Sequence, residues 1–218
     1  MNLSVVIASC LNKPEREEYL YKSIESIRKY FGKDIEILIG FDKYGREIEN
    51  TKCYIHDKGI GHSWNWGIKE SKNEIILQTE DDWIMSNNDI SFIMENFEKR
   101  IEVIKNNGGM FQLDFINGIR LDSWKDGFKE FNEFDYKFYE LNKPSLPISW
   151  WTDYRAYYYS NHPQLKIKSF IEKVGKYLEF SPPHEVEVNM CQKYHKSGER
   201  VFFSKFDTFI HIGEIPSR

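Results

Sequence analysis

Three consecutive carboxylates, Glu80-Asp81-Asp82, close the run Ile75-Ile76-Leu77-Gln78-Thr79 and precede Trp83. Adjacent anions repel one another unless a cation or open water accommodates them. An apolar strand that stops abruptly in acids sets those acids at the carboxyl edge of a sheet, where α/β folds collect ligands. Oxygen donors in this number suit Mg2+ or Mn2+ alongside substrate phosphates. The competing reading is a solvated acidic turn that caps the next helix. The placement recurs, because Ile37-Leu38-Ile39-Gly40-Phe41 ends in Asp42, and Leu3–Ala8 ends in Ser9, followed by Asn12 and Arg16. A rim with one Asp able to accept from a base or ribose, an Arg and a metal site suits a nucleoside diphosphate. No glycine-rich phosphate loop of Walker or Rossmann type is present. The phosphate charge is therefore left to a metal, which the acid cluster can hold.

These residues need elements to position them. Leu3 to Ser9 reads as a short buried strand, rich in β-branched residues. Pro14 heads a helix whose first turn carries Glu15, Glu17 and Glu18. Leu20, Ile24, Ile27 and Phe31 share one face of it, and Gly32 stops it. Ile35–Phe41, Cys53–Ile55 and Glu74–Thr79 read as further strands, with a short helix over Gly61–Ser71. Ile90, Ile93, Met94, Phe97, Ile101 and Ile104 mark a helix ended by Gly108-Gly109, and Met110–Phe115 follows as a strand. Repeated βαβ units predict a mostly parallel open sheet flanked by helices. Beyond residue 115 the pattern changes. Asn117-Gly118 signals a hairpin, 124–160 shows no clean period, and Pro163–Leu178 reads as helical. A helix follows from near Glu185 to Ser197, and strands over Val201–Phe206 and Phe209–Ile212 close the chain; a smaller antiparallel element is expected in this C-terminal half. We expect one α/β domain over 1–218, with a nucleotide-sugar half (1–115) and an acceptor half (116–218).

Composition excludes several classes. The chain has 218 residues, a net charge of −4 and 16% aromatic residues, too many for disorder. No basic stripe argues for nucleic acid. Three scattered cysteines make neither a disulfide framework nor a zinc knuckle. No run is long enough to span a bilayer and no signal-peptide layout is visible, so a cytoplasmic location is expected. The aromatics are uneven: 12 fall in residues 1–109 and 23 in 110–218, including Trp150-Trp151 beside Asp153. Flat rings stack on the C–H faces of sugars, so Trp150, Trp151 and Asp153 are candidate acceptor contacts, with core packing as the alternative. His62 and Trp64 either line the diphosphate side or sit on a helix face.

Taken in order, five segments resemble GT-A-fold glycosyltransferases of the family-2 type. They are Leu3–Ser9 before Pro14, Lys58-Gly59-Ile60-Gly61 through Asn65-Trp66-Gly67-Ile68, Glu80-Asp81-Asp82, His184-Glu185-Val186-Glu187 in a helix ending at Gly198, and Phe209-Ile210-His211-Ile212-Gly213. The acid cluster resembles that family's DXD motif, with Glu80 in place of the first Asp. The compact length is also similar to small GT-A domains encoded by large algal viruses. The resemblance implies that Asp82 coordinates Mn2+ or Mg2+ between the donor's phosphates, with Glu80 beside it directly or through water and His211 as a third ligand. It implies that Asp81 bonds the ribose and that Ser9, Arg16 and Asp42 hold the uridine; His62 joins the nucleotide-sugar candidates from its place in the chain alone. Its acidic motif offers Glu187 or Glu185 as general base, with Asp114 or Asp153 as further candidates.

The expected activity is metal-dependent transfer of a sugar from a UDP-sugar to a glycan or other hydroxyl acceptor, with inversion. Departure of UDP develops negative charge that a divalent cation stabilises. An acceptor hydroxyl needs a carboxylate to take its proton. Two alternatives remain: a non-catalytic nucleotide-sugar-binding module, and a nucleotidyltransferase. The latter usually needs a glycine- and Arg/Lys-rich opening loop, which Ala8-Ser9-Cys10-Leu11-Asn12 lacks.

Overall fold

The structure, a computed structural model, describes residues 2–86, 89–113, 128–134, 136–141, 161–204 and 208–213. In chain order the elements are β1 (Leu3–Ser9), α1 (Pro14–Phe31), β2 (Glu36–Asp42), β3 (Lys52–His56), α2 (Ile60–Glu70), β4 (Ile75–Glu80), β5 (Trp83–Met85), α3 (Ile90–Asn107) and β6 (Met110–Gln112). There follow β7 (Phe128–Glu133), β8 (Tyr136–Leu141), β9 (Gln164–Ile167), α4 (Lys168–Val174), α5 (Pro183–Ser197), β10 (Val201–Ser204) and β11 (Phe209–His211).

β1 is buried at all seven positions because it is central and covered on both faces. Val5 and Ile7 face a core with Leu20, Ile24 and Ile27 of α1 and Phe97, Ile101 and Ile104 of α3. Val6 and Ala8 face the other core, with Trp64 and Ile68 of α2 and Met190 and Tyr194 of α5. Alternation along one strand thus feeds two helical layers. Gly67 lets α2 lie close on the sheet, since a Cβ there would sit 2.3 Å from Val6 Cγ1.

The main sheet runs β3-β2-β1-β4-β9-β6-β10-β8-β7, and β11-β5 forms a separate antiparallel pair. Strands β3, β2, β1 and β4 pair in parallel, as do β6 and β10, while β9 and β8 run against their neighbours. The predicted mostly parallel sheet with an antiparallel element is therefore present.

Three details differ from expectation. Pro163–Leu178 is not one helix. Its first part is β9, wedged antiparallel between β4 and β6, and the helix is confined to Lys168–Val174. Leu165 and Ile167 alternate with Gln164 and Lys166, a period of two that lasts only four residues, and both polar residues are buried. The tract 124–160 does hold strands, the β7–β8 hairpin, although its acids and aromatics mask the alternation. β5 is also additional. The expected Asn117-Gly118 hairpin lies outside the described residues.

Candidate active site

The parallel strands deliver the acids to one edge. Ala8 of β1 pairs with Glu80 of β4, and Ser9 pairs with Phe41 of β2. Asp42, Ser9 and Glu80-Asp81-Asp82 therefore come from three adjacent strand ends. Because β9 runs the other way, its amino end brings Asn161 and His162 to the same edge.

Asp81 is fully buried. Its Oδ2 accepts from Ser9 Oγ at 2.6 Å, and its Oδ1 forms an ion pair with Arg16 Nη2. Arg16 bridges the two aspartates, since its Nη1 donates to Asp82 Oδ2 at 2.8 Å. It can do so because Pro14 starts α1 so early that Arg16 stands on the first turn. Burial raises the Asp81 carboxyl to about 6, against the opposing pull of Arg16 and Ser9. For Asp82 burial also pushes upward, but His211 and Arg16 outweigh it and hold the group below its ordinary value. Glu80 is held well above the usual carboxylate range, by burial first and then by the charges of Asp82 and Asp81. One guanidinium faces three acids, so the edge keeps a net negative field that favours a further cation.

The β5–β11 pair sets His211 opposite Trp83, and Ile212 N–H donates to Asp82 O at 2.8 Å. His211 Nε2 consequently lies 3.3 Å from Asp82 Oδ2. The rings of His211 and His162 both pack on Trp83, with centroids 4.8 and 4.9 Å away. Two observations fit a divalent ion beside Asp82 and His211. Asp82 Oδ1 is buried and accepts no hydrogen bond from the described residues. A Cβ on Gly213 would lie 2.6 Å from Asp82 Oδ2 and 3.0 Å from His211 Nε2, so only glycine leaves this cradle open. Among the described residues no three His, Cys, Asp or Glu side chains gather to hold one ion. Glu80 is thus not brought into a three-ligand set with Asp82 and His211.

Asp42 forms a second centre. Its Oδ1 accepts from Gly59 N–H at 3.2 Å, and it lies opposite His56 in the β2–β3 register. His56 Nδ1 accepts from Lys58 N–H at 3.2 Å, so Nε2 carries the proton and donates to Ser63 Oγ at 2.9 Å. Burial first, then the neighbouring His62, holds His56 below its ordinary value. His62 Nδ1 lies 3.0 Å from Glu179 Oε2, and its ring meets that of His56 edge-on. His62 therefore belongs to the Asp42 side. Trp64 is buried against Tyr177 and is a core residue. Cys10 connects the two centres: burial and the charge of Asp42 raise its thiol, which also feels Arg16 and Asp81.

The start of α5 separates the two candidate bases. Glu185 is exposed, whereas Glu187 is half-buried and its Oε1 accepts from Asn161 N–H at 2.7 Å. Its charge also reaches Glu80. Trp150, Trp151, Asp153 and Asp114 lie outside the described residues. Cys10, Asn161, His162, Trp83 and Glu179 are neighbours that sequence reasoning missed. None carried a motif: Cys10 and Trp83 simply follow Ser9 and Asp82 in the chain, the crossing of β9 brings Asn161 and His162, and the loop before α5 brings Glu179.

No family model matches the sequence, and no curated protein matches it. Solved structures do. S. aureus TarS 1–349 in complex with UDP-GlcNAc aligns over 98% of this chain and 60% of that one, with a TM-score of 0.61 and 14% identity. TarS 1–349 in complex with UDP gives a TM-score of 0.57 at 12% identity, over 96% of this chain and 59% of that one. A longer TarS structure gives 0.58 at 12% identity, over 98% of this chain and 37% of that one. The chain has a GT-A-like fold. It spans about three-fifths of TarS 1–349, and at this identity the likeness is one of fold.

Proposed function

We propose that the chain is a glycosyltransferase that moves a sugar from a UDP-sugar to an acceptor hydroxyl with a divalent metal bound. The observation that carries this reading is the joining of Ser9, Arg16, Asp81, Asp82 and His211 at one sheet edge, beside Asp42. TarS, similar in fold, binds UDP-GlcNAc and UDP at the level its structures report.

In this reading Asp42 accepts from the base, and Ser9 and Arg16 hold the ribose and phosphate side together with Asp81. Asp82 and His211 would hold Mn2+ or Mg2+, with Glu80 acting through water. A divalent ion there supplies Lewis-acid charge for the leaving diphosphate. Glu187 accepts the acceptor's proton as the acceptor oxygen bonds to the anomeric carbon. The bond from that carbon to the diphosphate oxygen breaks, and its electron pair leaves with UDP. Attack opposite the leaving group inverts the anomeric centre.

Arg16 favours one other reading, because a guanidinium already neutralises part of the acid cluster and a metal-free nucleotide-sugar-binding module would need no more. UDP release from a panel of UDP-sugars, with MnCl2 or EDTA and a mixture of hydroxyl acceptors, separates the two. Metal-dependent release from at least one donor supports transfer. Binding of UDP without release from any donor supports the module.

A further inference from the structure

Phe180 combines exposure with backbone strain. Its residue is 72% exposed, more than Tyr44 at 57% or Ile55 at 47%. Its φ is +59°, the left-handed region that a bulky residue enters only under constraint. No burial of the ring compensates. The surrounding structure nevertheless enforces this backbone. Phe180 N–H donates to Lys58 O at 2.6 Å. Asn65 clasps Tyr177 from both sides, donating to Tyr177 O at 3.0 Å and accepting from Tyr177 N–H at 2.9 Å. Glu179 Oε1 accepts from Asn65 at 3.0 Å while Oε2 meets His62. Gly59 and Gly61 allow the approach, since a Cβ at Gly61 would lie 1.8 Å from Leu178 O and one at Gly59 3.2 Å from Ser181 O. Strain that neighbours over-determine, with an apolar ring left in water, points from geometry to function.

The position selects the ligand. Phe180 is bonded to Lys58, and the next residue, Gly59, donates to Asp42. The backbone of Phe180 is therefore held one peptide away from Asp42, on the other side of the Lys58–Gly59 peptide. A flat π surface on a constrained backbone, one peptide away from a carboxylate that accepts N–H bonds, matches a planar heterocycle carrying N–H groups. We propose that Phe180 is a stacking platform for the base of the bound nucleotide, held in position by its constrained backbone. This rests on the nucleotide-sugar reading of the site and adds a base-contacting residue to it.

The test measures UDP and pyrophosphate affinity by calorimetry with MnCl2, and urea unfolding, for wild type, Phe180→Gly and Phe180→Tyr. Glycine tolerates the left-handed backbone, so Phe180→Gly is expected to unfold at no lower urea than wild type. It is expected to bind UDP about tenfold more weakly, as loss of one base–aromatic stack implies. Its pyrophosphate affinity should not change, and Phe180→Tyr should bind UDP as wild type does. Unchanged UDP affinity in Phe180→Gly overturns the platform while leaving the nucleotide site intact. A lower unfolding midpoint, or equal weakening toward pyrophosphate, also overturns it by showing a structural role. A wild type that binds no UDP removes the nucleotide reading and the platform together.

Discussion

Two glutamates stand two residues apart at the start of the helix Pro183–Ser197, and their surroundings divide them. Glu185 is exposed in the first turn, where it interacts with the helix dipole. Glu187 turns inward, takes a hydrogen bond from Asn161 and adds its charge to that of Glu80. A base must lie close to where the acceptor meets the donor, and of these two glutamates Glu187 has that relation to the acid cluster. Glu187→Gln is expected to lower kcat for UDP-sugar turnover by about 10²–10⁴-fold with UDP affinity kept. Glu185→Gln should stay near wild type, and steady-state kinetics of both variants check the assignment. The acids were legible in the sequence because an apolar run that ends in carboxylates is a local signal. Asn161 and Cys10 were not, since their importance arises from contacts far along the chain. The same holds for Gly213, whose missing side chain matters only because Asp82 and His211 crowd it.

At the scale of the element, the strand Gln164–Ile167 determines more than its four residues suggest. It joins the parallel strands to the rest of the sheet and carries a fully buried lysine. Lys166 Nζ donates to Gln78 Oε1 at 2.8 Å, Gln164 Oε1 at 2.7 Å and Tyr177 Oη at 2.6 Å. Tyr177 Oη in turn donates to Gln78 at 2.8 Å. This network ties β4, which ends in the acid cluster, to the segment that leads into Glu179 and Phe180. A sequence reading favours helix here because Lys, Gln and Leu are good helix formers; pairing on both sides overrides that preference. Lys166→Met strands buried acceptors and is expected to cost about 2 kcal/mol in urea unfolding. Burial also sets a pH signature, because it holds the Lys166 ammonium well below its ordinary value. Below the unfolded lysine pKa of about 10.4, the unfolded chain binds a proton more readily than the folded one, so wild-type stability rises with pH in that window. Lys166→Met should lose that part of the slope. An equal slope in both proteins would count against a perturbed lysine.

Across the whole molecule, the order of parallel strands and the two cores follow from features visible in the chain: short apolar runs, amphipathic helices and glycine stops. These signals are local and periodic, and they cover the part that presents Asp42, Ser9 and the acid cluster. The antiparallel part was less legible, because its strands are short and carry polar residues at positions that the fold buries. Among the described residues no helix is long and apolar enough to cross a membrane. The GT-A-like fold brings Arg16 of the first helix, the acids of the fourth strand and His211 of the last strand to one point, and that convergence is the basis of the functional proposal.

The most direct test is unfolding of the full chain with UDP, ATP or CTP, each with MnCl2 or EDTA, in wild type and Asp82→Ala. UDP at 100 times its Kd with MnCl2 should stabilise the wild type by about 2.7 kcal/mol. That stabilisation should be lost with EDTA and in Asp82→Ala, and ATP and CTP should give less. Equal stabilisation by all three nucleotides, or none by UDP, would contradict a metal-assisted UDP site at this edge.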